Sequence, residues 1–109
     1  MGLFHHESDE SQAFNEFGQA KHKSEVSHEL LSGAAAFAAA HEYEKYCERN
    51  GKPQSHAKAK ELLAGFSAAF IDHEVESRGL DFIDKQKAKH EAEKRAKERY
   101  DVVEVDEYN

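Results

Sequence analysis

Two histidines stand 32 residues apart in closely similar surroundings. His41 lies in ELLSGAAAFAAAHEYE (29–44) and His73 in ELLAGFSAAFIDHEVE (61–76), and each is followed three residues later by a glutamate, Glu44 and Glu76. On a helix, residues three apart share a strip of surface, so each imidazole has a carboxylate in reach. Such a pair usually just satisfies itself at the edge of a core. It can also hold a transition-metal ion, the carboxylate orienting the ring, or supply an axial ligand to haem. Haem needs a slot between rings and small residues, and Phe37, Phe66 and Phe70 with Ala34, Ala35, Ala38 and Ala69 are of those types. There is no CxxCH attachment motif. The candidate cofactor-binding set is therefore His73, His41, Phe37, Phe66 and Phe70.

The candidate metal set is His28, His73, Glu76 and Glu44. Glu25-Val26-Ser27-His28 matches the ExxH spacing that di-iron carboxylate bundles use on two helices, but it occurs once here. In an antiparallel hairpin His41 and His73 are offset axially by roughly 16 Å at 1.5 Å per residue. They do not share an ion within one chain; two chains in a bundle would bring such histidines together. His28 points about 160° from the centre of the hairpin face at 100° per residue. His56, beside Ser55 at a helix start, reads as a surface or capping residue, and His5 and His6 as a solvated terminal pair. Cys47 has no partner histidine at a diagnostic spacing, and no P-loop, dinucleotide glycine fingerprint or cysteine-pair zinc motif occurs. Catalysis has no signature in this chain.

The elements that must position these residues follow from the duplication itself. The two segments are identical at eight of sixteen positions, including Leu30/Leu62, Leu31/Leu63, Gly33/Gly65, His41/His73 and Glu42/Glu74. Ser24 is placed to cap a helix running to about residue 48, and the Asn50-Gly51-Lys52-Pro53 break leads to a second over about 54–78, with Pro53 in its first turn or Ser55 as its cap and Gly79 as its stop. A short loop between long helices makes an antiparallel hairpin. At 100° per residue Val26, Leu30, Gly33, Ala34, Phe37 and His41 share one arc, and Ala59, Leu62, Leu63, Phe66, Ala69, Phe70 and His73 another. Both histidines fall on the stripe expected to be buried, and each glycine is expected opposite a ring of the other helix.

Residues 80–100 read as a third helix, apolar at its start and charged beyond Asp84, with Ala88, Ala92, Ala96 and Tyr100 on one side. The expectation is a solvated helix, supported by Glu91–Arg95 and Glu93–Lys97 pairs, that lies across a neighbour or reaches a second subunit. Residues 1–23 form an arm with a short helix, capped by Asp9 or Ser11 and ended by Gly18, whose Phe14 and Phe17 make one small apolar face. The acidic tail 101–109 is left between a frayed end and an edge strand. The fold class is all-α.

At 109 residues with 39% hydrophobic content, much of it alanine, the core is thin, and the expectation is a homodimer in which two hairpins form a four-helix bundle. A net charge of −7 disfavours phosphate backbones as partners, and no run is long enough to span a bilayer. One cysteine and no leader point to the cytoplasm. Gly2 lacks the serine or threonine at position 6 that myristoylation motifs carry.

The opening MGLF, SHELLSGAAAF at 27–37, NGKPQSHAKAKELLAGF at 50–66 and RGLDFIDKQKAK at 78–89 resemble the small fungal CipC-like antibiotic-response proteins. The resemblance covers the chain to about residue 99. It implies a fungal, cytosolic protein whose abundance changes under drug or developmental stress, with no assigned reaction and no catalytic residues. The family pattern includes the Ser27-His28 and Ser55-His56 pairs, and often has another basic residue where His41 and His73 stand here. The function expected is a non-enzymatic, stress-associated binding or scaffold protein. Its alternatives are a haem-binding bundle on His73 or His41, and a metal-ion site of His and Glu across the bundle. A small apolar or haem-like ligand is the expected guest.

Overall fold

A computed structural model describes residues 8–108, with side chains to residue 103; Gly2, Leu3, Phe4, His5 and His6 lie outside the described residues. The described chain is all-α: α1 (Asp9–Gln19), a 3-10 turn (Lys23–Glu25), α2 (His28–Asn50), α3 (His56–Arg78) and α4 (Lys85–Tyr108).

Serines start the first three helices. The hydroxyls of Ser8, Ser27 and Ser55 accept the N–H groups of Ser11, Leu30 and Lys58 at 3.0, 3.0 and 3.1 Å, each satisfying a first-turn donor that has no partner inside the helix. Ser8, not Asp9 or Ser11, therefore caps α1, and the helix passes through Gly18 to Gln19. Ser24 likewise does not cap α2. It lies in the 3-10 turn, whose Glu25 carboxylate accepts the N–H groups of Lys21 and His22 at 2.7 and 2.9 Å. Those two bonds hold the Glu25 carboxyl below its ordinary pKa. Gly51 and Gly79 end α2 and α3 at φ 78° and 65°, backbone that a Cβ would strain.

The helices α2, α3 and α4 form an up-down-up bundle. The α3–α4 pair is antiparallel: Asp72 meets Lys85 and Lys89 at one end, and Lys60 meets Asp101 at the other. Alongside α2, α4 runs parallel, from Ser32 hydroxyl donating to the Ala88 carbonyl at 3.2 Å up to the Tyr43–Tyr100 ring contact. The α1 helix packs along α2.

The third helix does lie across its neighbours, but its alanine side is buried and not solvated as expected. Ala88, Ala92 and Ala96 are fully buried and Tyr100 nearly so, while the charged residues face outward. Small side chains let helix backbones approach closely, and α4 meets Ala35, Ala36, Ala39 and Ala40 of α2 across such a seam. The helix also starts later than expected, at Lys85, because Leu80 and Ile83 turn into the core and Asp84 caps with its carboxylate on the Lys87 N–H at 3.2 Å. It then continues through the acidic tail to Tyr108. This face of the hairpin is thus covered by α4 of the same chain.

Because α4 takes that face, the expected stripe is buried only in part: Val26, Gly33, Ala34, Ala59 and Leu63 are buried, while the phenylalanines stay half covered. On α3 the buried residues are Ala59, Leu63, Ser67 and Ile71, while His41 and His73 are exposed. The glycine pairing is also corrected: a Cβ on Gly33 would lie 2.8 Å from Ala13 of α1, and one on Gly65 would meet nothing within 4 Å. Neither glycine receives a phenylalanine from the other helix.

Candidate functional site

On the side of the hairpin away from α4 the phenylalanines are left half covered. They line a groove of about 730 Å³ formed by Phe14 of α1, Phe37, Ala38, His41 and Glu42 of α2, and Phe66, Ala69, Phe70 and His73 of α3. Its size lies within the range of small-molecule pockets, roughly 300–1,000 Å³. All five residues of the candidate cofactor set, His73, His41, Phe37, Phe66 and Phe70, border it.

The walls come from matched positions of the two similar segments. Phe37-Ala38 in α2 corresponds, 32 residues on, to Ala69-Phe70 in α3, so ring and small residue exchange places between the walls; His41 corresponds to His73. The floor is tied to the core through Phe37 and Phe66 on one cluster and Phe70 on the other. Phe14 closes one end, with ring centroids 5.1 Å from Phe37 and 6.4 Å from Phe70. Beneath it Phe17 is buried, 5.9 Å from the Phe70 ring and with the Arg78 guanidinium 4.1 Å above its own ring centre. Arg78 also donates to the carbonyls of Phe17 and Ala20, which fixes the end of α1 to the end of α3.

The charged rim is asymmetric. Glu74 is taken by the Arg78 guanidinium at 2.9 Å, and its side chain is only 17% exposed. Its counterpart Glu42 has Tyr46 at the matching i+4 position, lines the groove, and makes a 3.7 Å contact with half-exposed Lys45. Lysine and arginine are missing from the groove's lining.

The metal constellation does not assemble. Among the described residues no three His, Cys, Asp or Glu side chains are grouped as they must be around an ion. His28 Nε2 accepts the backbone N–H of Asp84 at 2.9 Å, so this histidine joins the starts of α2 and α4. His73 lies 3.8 Å from Glu74, its sequence neighbour, and its side chain is 75% exposed. Glu44 and Glu76 lie outside the groove's lining. The carboxylate nearest His73 is thus that of the adjacent Glu74, not the expected Glu76.

Sequence reasoning missed two lining residues. Phe14 was legible as part of an apolar face, but nothing in the spacing of the arm said which side of the hairpin it would cover. Glu42 carried a signal in its identity with Glu74, and the difference at i+4, Tyr46 against Arg78, marks which of the two is left to the groove.

Among the described residues no helix is long and apolar enough to cross a membrane. No curated protein and no solved structure matches the chain. The family model described as virulence factor CipC-like matches residues 11–102, which takes in every residue of the groove and of the alanine seam. With that span of the sequence matched, the chain belongs to the CipC-like family.

Proposed function

We propose that this protein is a non-catalytic binding module that holds a small, largely apolar molecule in the α1–α2–α3 groove. The observation that carries the reading is the groove itself: four phenylalanines and two alanines line an open space of about 730 Å³. A cytoplasmic place of action fits a chain whose one cysteine has no partner for a disulfide. A role in a fungal stress response fits the family resemblance.

The test is a titration with Nile red, a neutral apolar fluorophore, read as an emission increase and blue shift at micromolar protein. Ala69→Phe places a ring in the groove from an exposed position and should remove the signal while leaving the helical circular dichroism unchanged. No fluorescence change with the unaltered protein sinks the reading. A second copy of the chain laid over the same strip, the homodimer expected from the thin core, is the competing occupant. Light scattering after size exclusion separates the two, since a dimer closing the groove exchanges with ligand.

Haem is the second reading, supported by His41 and His73 both bordering the groove. It ranks below a simpler guest because the lining has no lysine or arginine for the propionate groups. Added haemin should shift the Soret band, and His73→Ala with His41→Ala should abolish the shift; an unshifted band removes haem.

A further inference from the structure

We infer that the groove selects a hydrophobic cation: an aromatic or apolar body carrying an ammonium group, with Glu42 as its counter-charge. The inference rests on the binding reading of the same groove and concerns what it prefers. Its first support is the wall chemistry. Four phenyl rings, Phe14, Phe37, Phe66 and Phe70, line the groove, and the face of such a ring attracts a cation held within about 6 Å of its centre.

The second support is the asymmetry of the two matched glutamates. Glu74 is paired with Arg78 at 2.9 Å and stays off the lining, with one oxygen 3.8 Å from His73, whereas Glu42 lines the groove and meets only Lys45, at 3.7 Å. A groove lined by one carboxylate and no Lys or Arg, on a chain of net charge −7, is complementary to positive charge and repels an anionic head group. Lipid-like anions and cations share the same apolar body, so head-group charge is the property the site sorts.

The experiment uses three probes with one ring system: naphthylmethyl-trimethylammonium, naphthylmethanol and naphthylacetate. Binding to the full chain is measured by calorimetry at pH 8 and low ionic strength. The cation should bind about threefold to tenfold more tightly than the alcohol, as a partly exposed carboxylate and ring faces allow, and the acetate more weakly than both. Glu42→Gln should bring the cation level with the alcohol without changing the alcohol, and Glu42→Lys should reverse the order of cation and anion. Equal binding of cation and alcohol, or Glu42 variants without effect, overturns the inference and leaves the binding reading standing. No binding by any probe overturns both.

Discussion

The methyl group of Ala13 lies 2.8 Å from where a Cβ on Gly33 would stand, so α1 rests directly on the backbone of α2 at that point. The counterpart 32 residues on, Gly65, faces open space. One substitution should therefore have opposite signs at the two sites. Gly65→Ala should raise stability by about 0.5–1 kcal/mol, the helix-propensity gain of losing a mid-helix glycine. Gly33→Ala gains the same propensity but pushes a rigid methyl into α1. Overpacking of that kind costs about 1–3 kcal/mol, leaving a net loss. Urea unfolding of both variants checks the pair, and faster amide exchange confined to residues 9–19 should accompany the Gly33 change.

The alanine side of α4 offers a second test. On a solvated helix Ala92→Leu would be almost silent, within about 0.5 kcal/mol. Here Ala92 is fully buried against α2 and α3, and three further heavy atoms have no space. The variant should lose about 1–3 kcal/mol in chemical denaturation, while Lys94→Leu on the exposed side changes little.

Why the face of the hairpin was misread follows from α2. Its phenylalanine and leucines outweigh alanine in any hydrophobic pattern, so the pattern pointed at Phe37 and at Phe66 and Phe70 across the hairpin. Burial in fact runs through Leu31 to Ala36, Ala39, Ala40 and Tyr43, because helices approach closest where side chains are smallest. The same misreading made the groove legible: the rings grouped by the pattern do share a face, but that face is left open because α4 occupies the other. What the local sequence could specify, it did. Ser55 starts α3, and Gly51 and Gly79 end α2 and α3, where their chemistry requires it, whereas Ser24 and Ser27 are equivalent as caps until Glu25 folds back on Lys21 and His22. Which of two glutamates meets an arginine could be read from i+4 spacing; which side of the bundle that leaves open could not.

Asp72 joins α3 to α4 through Lys89 at 2.9 Å and Lys85 at 3.6 Å. The Lys89 hydrogen bond, with the charges of both lysines, holds its carboxyl below the ordinary value. A carboxyl with a lowered folded-state pKa contributes stability above its unfolded pKa of about 4, and loses it as pH falls through the folded-state value. Its side chain is 47% exposed, so solvent screening limits the contribution to less than about 1 kcal/mol. Asp72→Asn should lower stability slightly at pH 7, make no difference well below the folded-state pKa of Asp72, and flatten the slope between. High salt should shrink the effect at neutral pH.

The far end of α4 depends on Tyr100. Its ring meets Tyr43 edge to face, centroids 6.0 Å apart and planes at 89°, and its hydroxyl is hydrogen-bonded to His56 Nδ1 at 2.7 Å in the first turn of α3. One side chain thus ties α4 to both other helices of the bundle, from a position 4% exposed. Tyr100→Phe keeps the ring and removes the hydrogen bond, which should cost about 0.5–1.5 kcal/mol. Tyr100→Ala removes both and should cost about 3–5 kcal/mol. Proteolysis distinguishes a local from a global effect: with Ala at this position the helix beyond Lys97 should be cut first, because Val103 is the next apolar side chain on the core and Lys60–Asp101 is an exposed ion pair. Equal protease resistance in the Phe and Ala variants would show that the tail helix is held by something other than this ring.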